Sequence, residues 1–185
     1  MNKTTFYTGK GDRGDTARLG SKERLPKSDV LLDTIGALDE TTCALGMARA
    51  LACDPILREA LPAVQRRLYR LMSHLSATAE LRATYTGLTA EDVRWLEGLI
   101  AQLETDLPPL KDIVLPGDSH AGAACHLART VIRRAERRLV ALAELEPTIG
   151  APNLAFINRL SSLLFVAALR EDQLAGRTPT LARES

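Results

Sequence analysis

The sequence predicts an all-α protein, a bundle of five helices, on three observations. Apolar residues recur every three or four positions in five stretches. Short breaks rich in proline and glycine separate those stretches, and no segment alternates convincingly as a strand. Leucine and alanine dominate while aromatic residues make up only 4%, which suits helix-on-helix packing. A chain of 185 residues is long enough for one domain with a substantial core and short for two. The expected division is a glycine-rich loop over residues 1–28 and a single bundle domain over residues 29–185.

The elements follow in order. In Thr8-Gly9-Lys10-Gly11-Asp12-Arg13-Gly14-Asp15-Thr16, three glycines and four charges fall in nine residues, which is loop composition. Pro26 closes this segment. Ser28 or Asp29 caps a first helix running to about Ala52, with Leu31, Ile35, Leu38, Leu45 and Ala48 on its apolar side. Asp54-Pro55 opens a second, to about Ala79, striped by Leu61, Val64, Leu68, Leu71 and Leu75. Pro62 marks a kink in it or its true start. After the break at Tyr85-Thr86-Gly87, Thr89 begins a third helix that ends before Pro108-Pro109. A loop from Lys111 to Gly117 leads to Asp118 or Ser119 and a fourth helix to about Leu145. Pro147, Gly150 and Pro152 form the next turn, and Asn153 begins a fifth helix ending near Gly176. From Arg177 onward the chain reads as a frayed tail.

Composition narrows the function classes. Formal net charge is +1, so nothing global points to nucleic acid or to an acidic membrane surface. Three cysteines, Cys43, Cys53 and Cys125, are an odd number without CxxC spacing, against a disulfide framework or a zinc site. Met1 to Tyr7 is polar rather than leader-like, and no uninterrupted apolar run approaches a membrane span. A cytoplasmic setting is the expectation.

Chemistry concentrates in three places. In the N-terminal loop, the glycines let successive backbone N–H groups converge on an anion. Lys10, Arg13, Lys22 and Lys27 add charge, Thr8 and Thr16 add hydroxyls, and Asp12 or Asp15 is placed to hold a Mg²⁺ that bridges phosphates. The loop is not of the GxxxxGKS/T type; the same composition also suits a solvated arm. The second place is the fourth helix. Ala124, Leu127, Ala128, Val131, Ala135, Leu139 and Leu142 form its apolar stripe, and Arg129, Arg133 and Glu136 stack on the opposite side. That charged row suits either solvent or a neighbouring subunit. The third place is Asp39-Glu40, as surface decoration or as a partner for one of those arginines. His74 reads as structural. His120 and His126, six residues apart, do not share a helix face. Asp118-Ser119-His120 reads as a helix cap rather than a triad.

These residues resemble the ATP:corrinoid adenosyltransferases of the propanediol-utilisation type along nearly the whole chain. The landmarks come in order: Tyr7-Thr8, Gly11-Asp12-Arg13-Gly14-Asp15-Thr16, Leu19-Gly20, Lys27, Gly36-Ala37-Leu38-Asp39-Glu40, Leu115-Pro116-Gly117, Ala128-Arg129 through Arg137, and Asn158-Arg159-Leu160-Ser161-Ser162-Leu163-Leu164-Phe165. The resemblance implies a homotrimer with ATP bound between adjacent subunits. It implies transfer of the 5′-deoxyadenosyl group of ATP to Co(I) of a reduced corrinoid such as cobalamin, with Mg²⁺ on the triphosphate. By position, Thr8, Gly11, Asp12, Gly14, Thr16 and Lys27 contact the nucleotide. Arg133 holds the phosphates, Arg134, Glu136 and Asn158 complete that site, and Arg129 pairs with Asp39 of a neighbouring subunit. A corrinoid reductase or an adenosylcobalamin-dependent enzyme is the implied partner; nucleic acid and membrane are not. Three positions depart from the pattern: Ile113 stands where a phenylalanine is frequent, Asp118 where a second glycine follows Pro116, and Lys10 where a threonine precedes Gly11. These departures favour, as the alternative, a non-catalytic trimeric module that binds nucleotide or corrinoid as a sensor or cofactor chaperone.

Overall fold

A computed structural model describes residues 7–110 and 112–183. Its elements are β1 (Asp15–Ala17), β2 (Arg24–Pro26), α1 (Val30–Leu51), α2 (Pro55–Ser76), α3 (Ala90–Glu104), α4 (His120–Leu145) and α5 (Ala151–Leu174). Lys111, the expected start of the loop before α4, lies outside the described residues.

Local chemistry starts each helix. The Asp29 carboxylate accepts from the Leu31 N–H at 2.8 Å and so caps α1. Asp54 accepts from Ile56 and Leu57 and caps α2, with Pro55 at the first helical position. Thr89 and Asp92 form a reciprocal capping box on α3. Ser119 caps α4 through the Gly122 N–H at 2.9 Å. Pro62 lies inside α2, which neither starts nor stops there.

Two helix ends differ from the sequence reading. The second helix stops at Ser76, three residues short of Ala79, because the chain there turns to pair with the N-terminal segment. The Leu19 N–H donates to the Ser76 carbonyl at 3.0 Å, and the Thr78 N–H donates to the Leu19 carbonyl at 3.1 Å. The fifth helix begins at Ala151 rather than Asn153, since Asn153 has another task. Buried, it accepts from the Leu88 N–H at 2.7 Å and donates to the Ile149 carbonyl, tying α3 to α5.

The helix α4 is the axis of the bundle. It packs against α1 on one side and α5 on the other, with α2 laid on α1 and α3 on α5. Arg138 meets Asp33 at 2.7 Å near one end, and Arg134 pairs with Glu40 further along, so α1 and α4 run antiparallel. The expected apolar face of α4 is partly wrong. Ala124, Ala128, Ala135, Leu139 and Leu142 are buried, but Leu127 is 51% exposed and Val131 only half-buried, while Ile132 and Cys125 are fully buried. A helix clasped from two sides buries a broader arc, centred differently, than a single stripe.

Two further expectations are corrected. The N-terminal segment contains a small antiparallel hairpin, with Thr16 opposite Leu25. The tail after Arg177 is not frayed through its described part. The Leu115 N–H donates to the Thr180 carbonyl at 2.8 Å, the Ala182 N–H donates to the Ile113 carbonyl at 2.8 Å, and Val114 bridges Leu181 in antiparallel sense. The length and composition of α5 would also suit a membrane span, yet more than half of its most apolar stretch is buried in the bundle.

Buried Asp54 ties the far end of the bundle together, since it also receives Arg170 Nε at 3.1 Å. Asp54→Ala removes a cap and leaves Arg170 with Asp106, at 3.3 Å, as its remaining carboxylate. It is expected to cost about 2 kcal/mol in urea unfolding, with an unchanged midpoint contradicting this role.

Candidate active site

The N-terminal loop is a folded device. Gly9 and Gly14 take φ of +68° and +80°, values open to glycine and costly for other residues. The Gly14 N–H donates to the Gly11 carbonyl, and the Lys27 N–H returns to the Gly14 carbonyl at 2.8 Å. The Lys27 ammonium lies across Gly11, where an added Cβ would stand 3.0 Å from Nζ. Gly11, Gly14, Thr16 and Lys27 are thereby gathered, with Thr8 and Asp12 exposed on the preceding turn.

Arg24 braces the hairpin, and the sequence reading missed it. Its guanidinium grips both carboxylate oxygens of Asp15 at 2.8 Å and reaches the Lys10 carbonyl at 2.6 Å. The Arg24 hydrogen bonds hold Asp15 below its ordinary aspartate range. Asp15 is therefore engaged by protein, and Asp12 is the carboxylate left to face a metal on a phosphate chain. Arg18 fixes the hairpin to the bundle, donating to the Ala77 carbonyl at 3.2 Å.

The second group sits midway along α4 and α5. The Glu136 carboxylate accepts from Asn158 Nδ2 at 2.8 Å, and Arg133 Nη1 lies 3.9 Å from Glu136. Asn158 Oδ1 accepts from Arg159, which itself meets Glu97 at 3.0 Å. The Arg133 side chain is half open to solvent and aimed outward, whereas Glu136 is half-buried. A half-buried carboxylate behind an exposed guanidinium orients a fork for an incoming anion. Arg134 is paired with Glu40 of its own chain. Asp39 beside it is exposed, and among the described residues its carboxylate accepts a hydrogen bond only from Thr42, at 3.4 Å.

The third group is apolar. Ile113, Val114, Leu110, Asp112, Arg129 and Phe165 line an open cavity of about 520 Å³. Ile113 is 69% exposed within it. Arg129, expected to face either solvent or a neighbouring subunit, is half-buried, and its Nε has no hydrogen-bond partner among the described residues. Phe165 meets the ring of His126 edge-on, centroids 5.9 Å apart. His126 is 2% exposed, and burial first, then Arg129, lowers its pKa, so it is neutral at physiological pH. Close by, the fully buried Asp172 carboxyl group lies over Gly122, and burial with Glu171 and Asp172 pushes the Cys125 thiol up to about 12. Phe165 closes the Asn158–Phe165 landmark, and sequence spacing raises His126 only as a metal ligand; their contact, and the place of Asp172, follow from helix pairing and carry no local sequence signal.

Within one chain, no hydrogen bond or ion pair among the described residues joins the loop to Arg133, Arg134, Glu136 or Asn158. Loop, arginine row and cavity are three separate groups within the chain, the loop resting on the end of α2 and the other two lying on α4 and its neighbours. Fold and site define a helical-bundle protein that offers an anion cradle and a separate apolar seat to small molecules. The chain belongs to the cobalamin adenosyltransferase family, whose sequence profile matches residues 6–171.

Its relatives are consistent in kind. It is 36% identical over 168 residues to the corrinoid adenosyltransferase PduO of Citrobacter freundii, matching 90% of this chain and 50% of that protein. The chain thus spans about half the length of that PduO and of its Salmonella typhimurium counterpart. A second corrinoid adenosyltransferase of Citrobacter freundii is 37% identical over 174 residues, covering 90% of this chain and 94% of the relative. Among solved structures, a variant PduO-type ATP:corrinoid adenosyltransferase from Lactobacillus reuteri, complexed with cobalamin and ATP, superposes with TM-score 0.89. That match has 32% identity and covers 97% of this chain and all of that one.

Proposed function

We propose that this protein is an ATP:corrinoid adenosyltransferase that moves the 5′-deoxyadenosyl group of ATP to Co(I) of a reduced corrinoid and releases triphosphate. The observation that carries the reading is the coexistence, on a family member, of a glycine-built anion cradle, an outward arginine fork and an apolar cavity. Co(I) is the nucleophile and attacks C5′; the C5′–O bond breaks and triphosphate departs with the electron pair. The protein supplies neither nucleophile nor base. It holds C5′ in line with cobalt and neutralises the leaving group. The loop residues Thr8, Gly11, Asp12, Gly14, Thr16 and Lys27 take the triphosphate, and Mg²⁺ comes with the nucleotide toward Asp12. Arg133 grips the phosphates, backed by Glu136 and Asn158, with Arg134 alongside. The corrinoid lies against Ile113 and Phe165.

The separation of loop and arginine row within one chain supports an intersubunit site in a homotrimer. Exposed Asp39 and under-bonded Arg129 are suited to meet across that interface. A cytoplasmic setting, with a corrinoid reductase upstream or an adenosylcobalamin-dependent enzyme downstream, completes the reading. The deciding experiment is anaerobic. Protein, MgATP and chemically reduced cob(I)alamin are mixed, Co(I) absorbance and triphosphate are followed, and mass is measured by sedimentation. Adenosylcobalamin with equimolar triphosphate from a trimer is expected. ATP binding without turnover would instead favour the non-catalytic module, to which Ile113 in place of an aromatic ring lends support.

A further inference from the structure

The loop that carries Ile113 is held by the other end of the chain. Asp118 Oδ1 accepts from the Thr180 hydroxyl at 2.7 Å, and Oδ2 accepts from the Thr180 N–H at 2.9 Å. Ser119, not Asp118, caps α4, so both Asp118 oxygens are free for the tail. Thr180 is in turn the residue whose carbonyl takes the Leu115 N–H. Arg183 adds an exposed contact to Asp112 at 3.7 Å.

We propose that Asp118 is a positioning residue that latches Thr180 and thereby fixes the register of the Ile113–Leu115 strand forming the corrinoid wall. The proposal rests on the reading that the cavity beside Arg129 and Phe165 takes the corrinoid. Register is the physical point. Val114 is buried at 6% while Ile113 and Leu115 on either side are 69% and 46% exposed, the alternation of an extended strand. A slip of one residue would turn Val114 outward and Ile113 inward. Two backbone hydrogen bonds are a weak specification of register, and here they are the inter-segment pair found between Ile113–Leu115 and Thr180–Ala182. Two charge-assisted bonds that Asp118 accepts from Thr180, at the end of that pairing, remove the ambiguity. The two bonds to Thr180 also hold the Asp118 carboxyl below the ordinary value of 3.8. The latch is therefore fully made at neutral pH and opens only as the pH falls through that lowered value.

The test uses the full chain in two variants, Asp118→Ala and Thr180→Val, the latter lying outside the helices. Amide exchange at Leu115 and Ala182 reports the pairing, and cob(II)alamin titration of the MgATP-loaded protein reports the wall. In both variants exchange should quicken and cob(II)alamin affinity should fall about tenfold, with ATP affinity unchanged. Asp118→Asn, which keeps an acceptor for Thr180, should lie between. Faster exchange with unaltered cob(II)alamin affinity overturns the positioning role, as does unaltered exchange. Protected amides in a wild-type protein that takes up no cob(II)alamin overturn the corrinoid reading itself, and the role built on it.

Discussion

Arg133→Ala is expected to lower adenosyl transfer by about 100-fold or more while leaving the melting temperature unchanged. The two halves of this expectation come from one placement. The Arg133 guanidinium projects from α4 into solvent and, among the described residues, pairs only through the long approach to Glu136, so truncation opens no cavity and strands no buried partner. On the proposed reading its contribution is to the leaving triphosphate, whose charge grows as the C5′–O bond breaks. Arg133→Lys keeps the charge and loses the planar fork, and should fall between the two. Steady-state rates at saturating MgATP and cob(I)alamin check this; turnover equal to wild type would remove Arg133 from the mechanism.

Gly122→Ala is expected to destabilise the fold by about 3 kcal/mol, against the usual sign. Replacing glycine by alanine gains about 1 kcal/mol in a helix interior, and keeps that sign, smaller, in a first turn such as the one Gly122 occupies in α4. Here the new Cβ would stand 2.1 Å from Asp172 Oδ1 and 2.7 Å from its Cγ. Asp172 is 1% exposed on α5, with neither oxygen hydrogen-bonded among the described residues. The short side chain is packed on all sides and has little room to swing away. Asp172→Ala clears the space, so the double variant should recover the lost stability and restore the ordinary gain. A urea-unfolding cycle over the four proteins reads the coupling directly. Additive effects would mean that the two helices separate freely at this point.

The five helices were legible because each carries its own signal: a capping side chain, a proline at the first turn, and apolar residues at helical spacing. The bound at Asn153 failed because a residue that looks like a cap is spent on Leu88, 65 positions away. The hairpin was illegible for a different reason. Strands of three residues are too short to show alternation, and what stabilises them is the grip of Arg24 on Asp15. The tail reads as polar and unstructured by itself, since its partner Asp118 is 62 residues distant. The candidate site divides in the same way. Motif residues such as Gly11, Lys27 and Arg133 stand out locally. The contact of Phe165 with His126 and the half-burial of Arg129 arise only when α4 and α5 pack, and a helical wheel of α4 alone assigned Leu127 to the wrong side.

The N-terminal hairpin is tied down at its turn and at its C-terminal end. Leu19 is stitched to Ser76 and Thr78, Arg18 is hooked to the end of α2, and Lys27 leads directly into the capped start of α1. A cradle already shaped in this way surrenders little backbone entropy on binding. On the proposed reading, most of the attraction between loop and triphosphate then appears as affinity. The hairpin is then less a lid than a fixed seat, its shape set by the folding of α2.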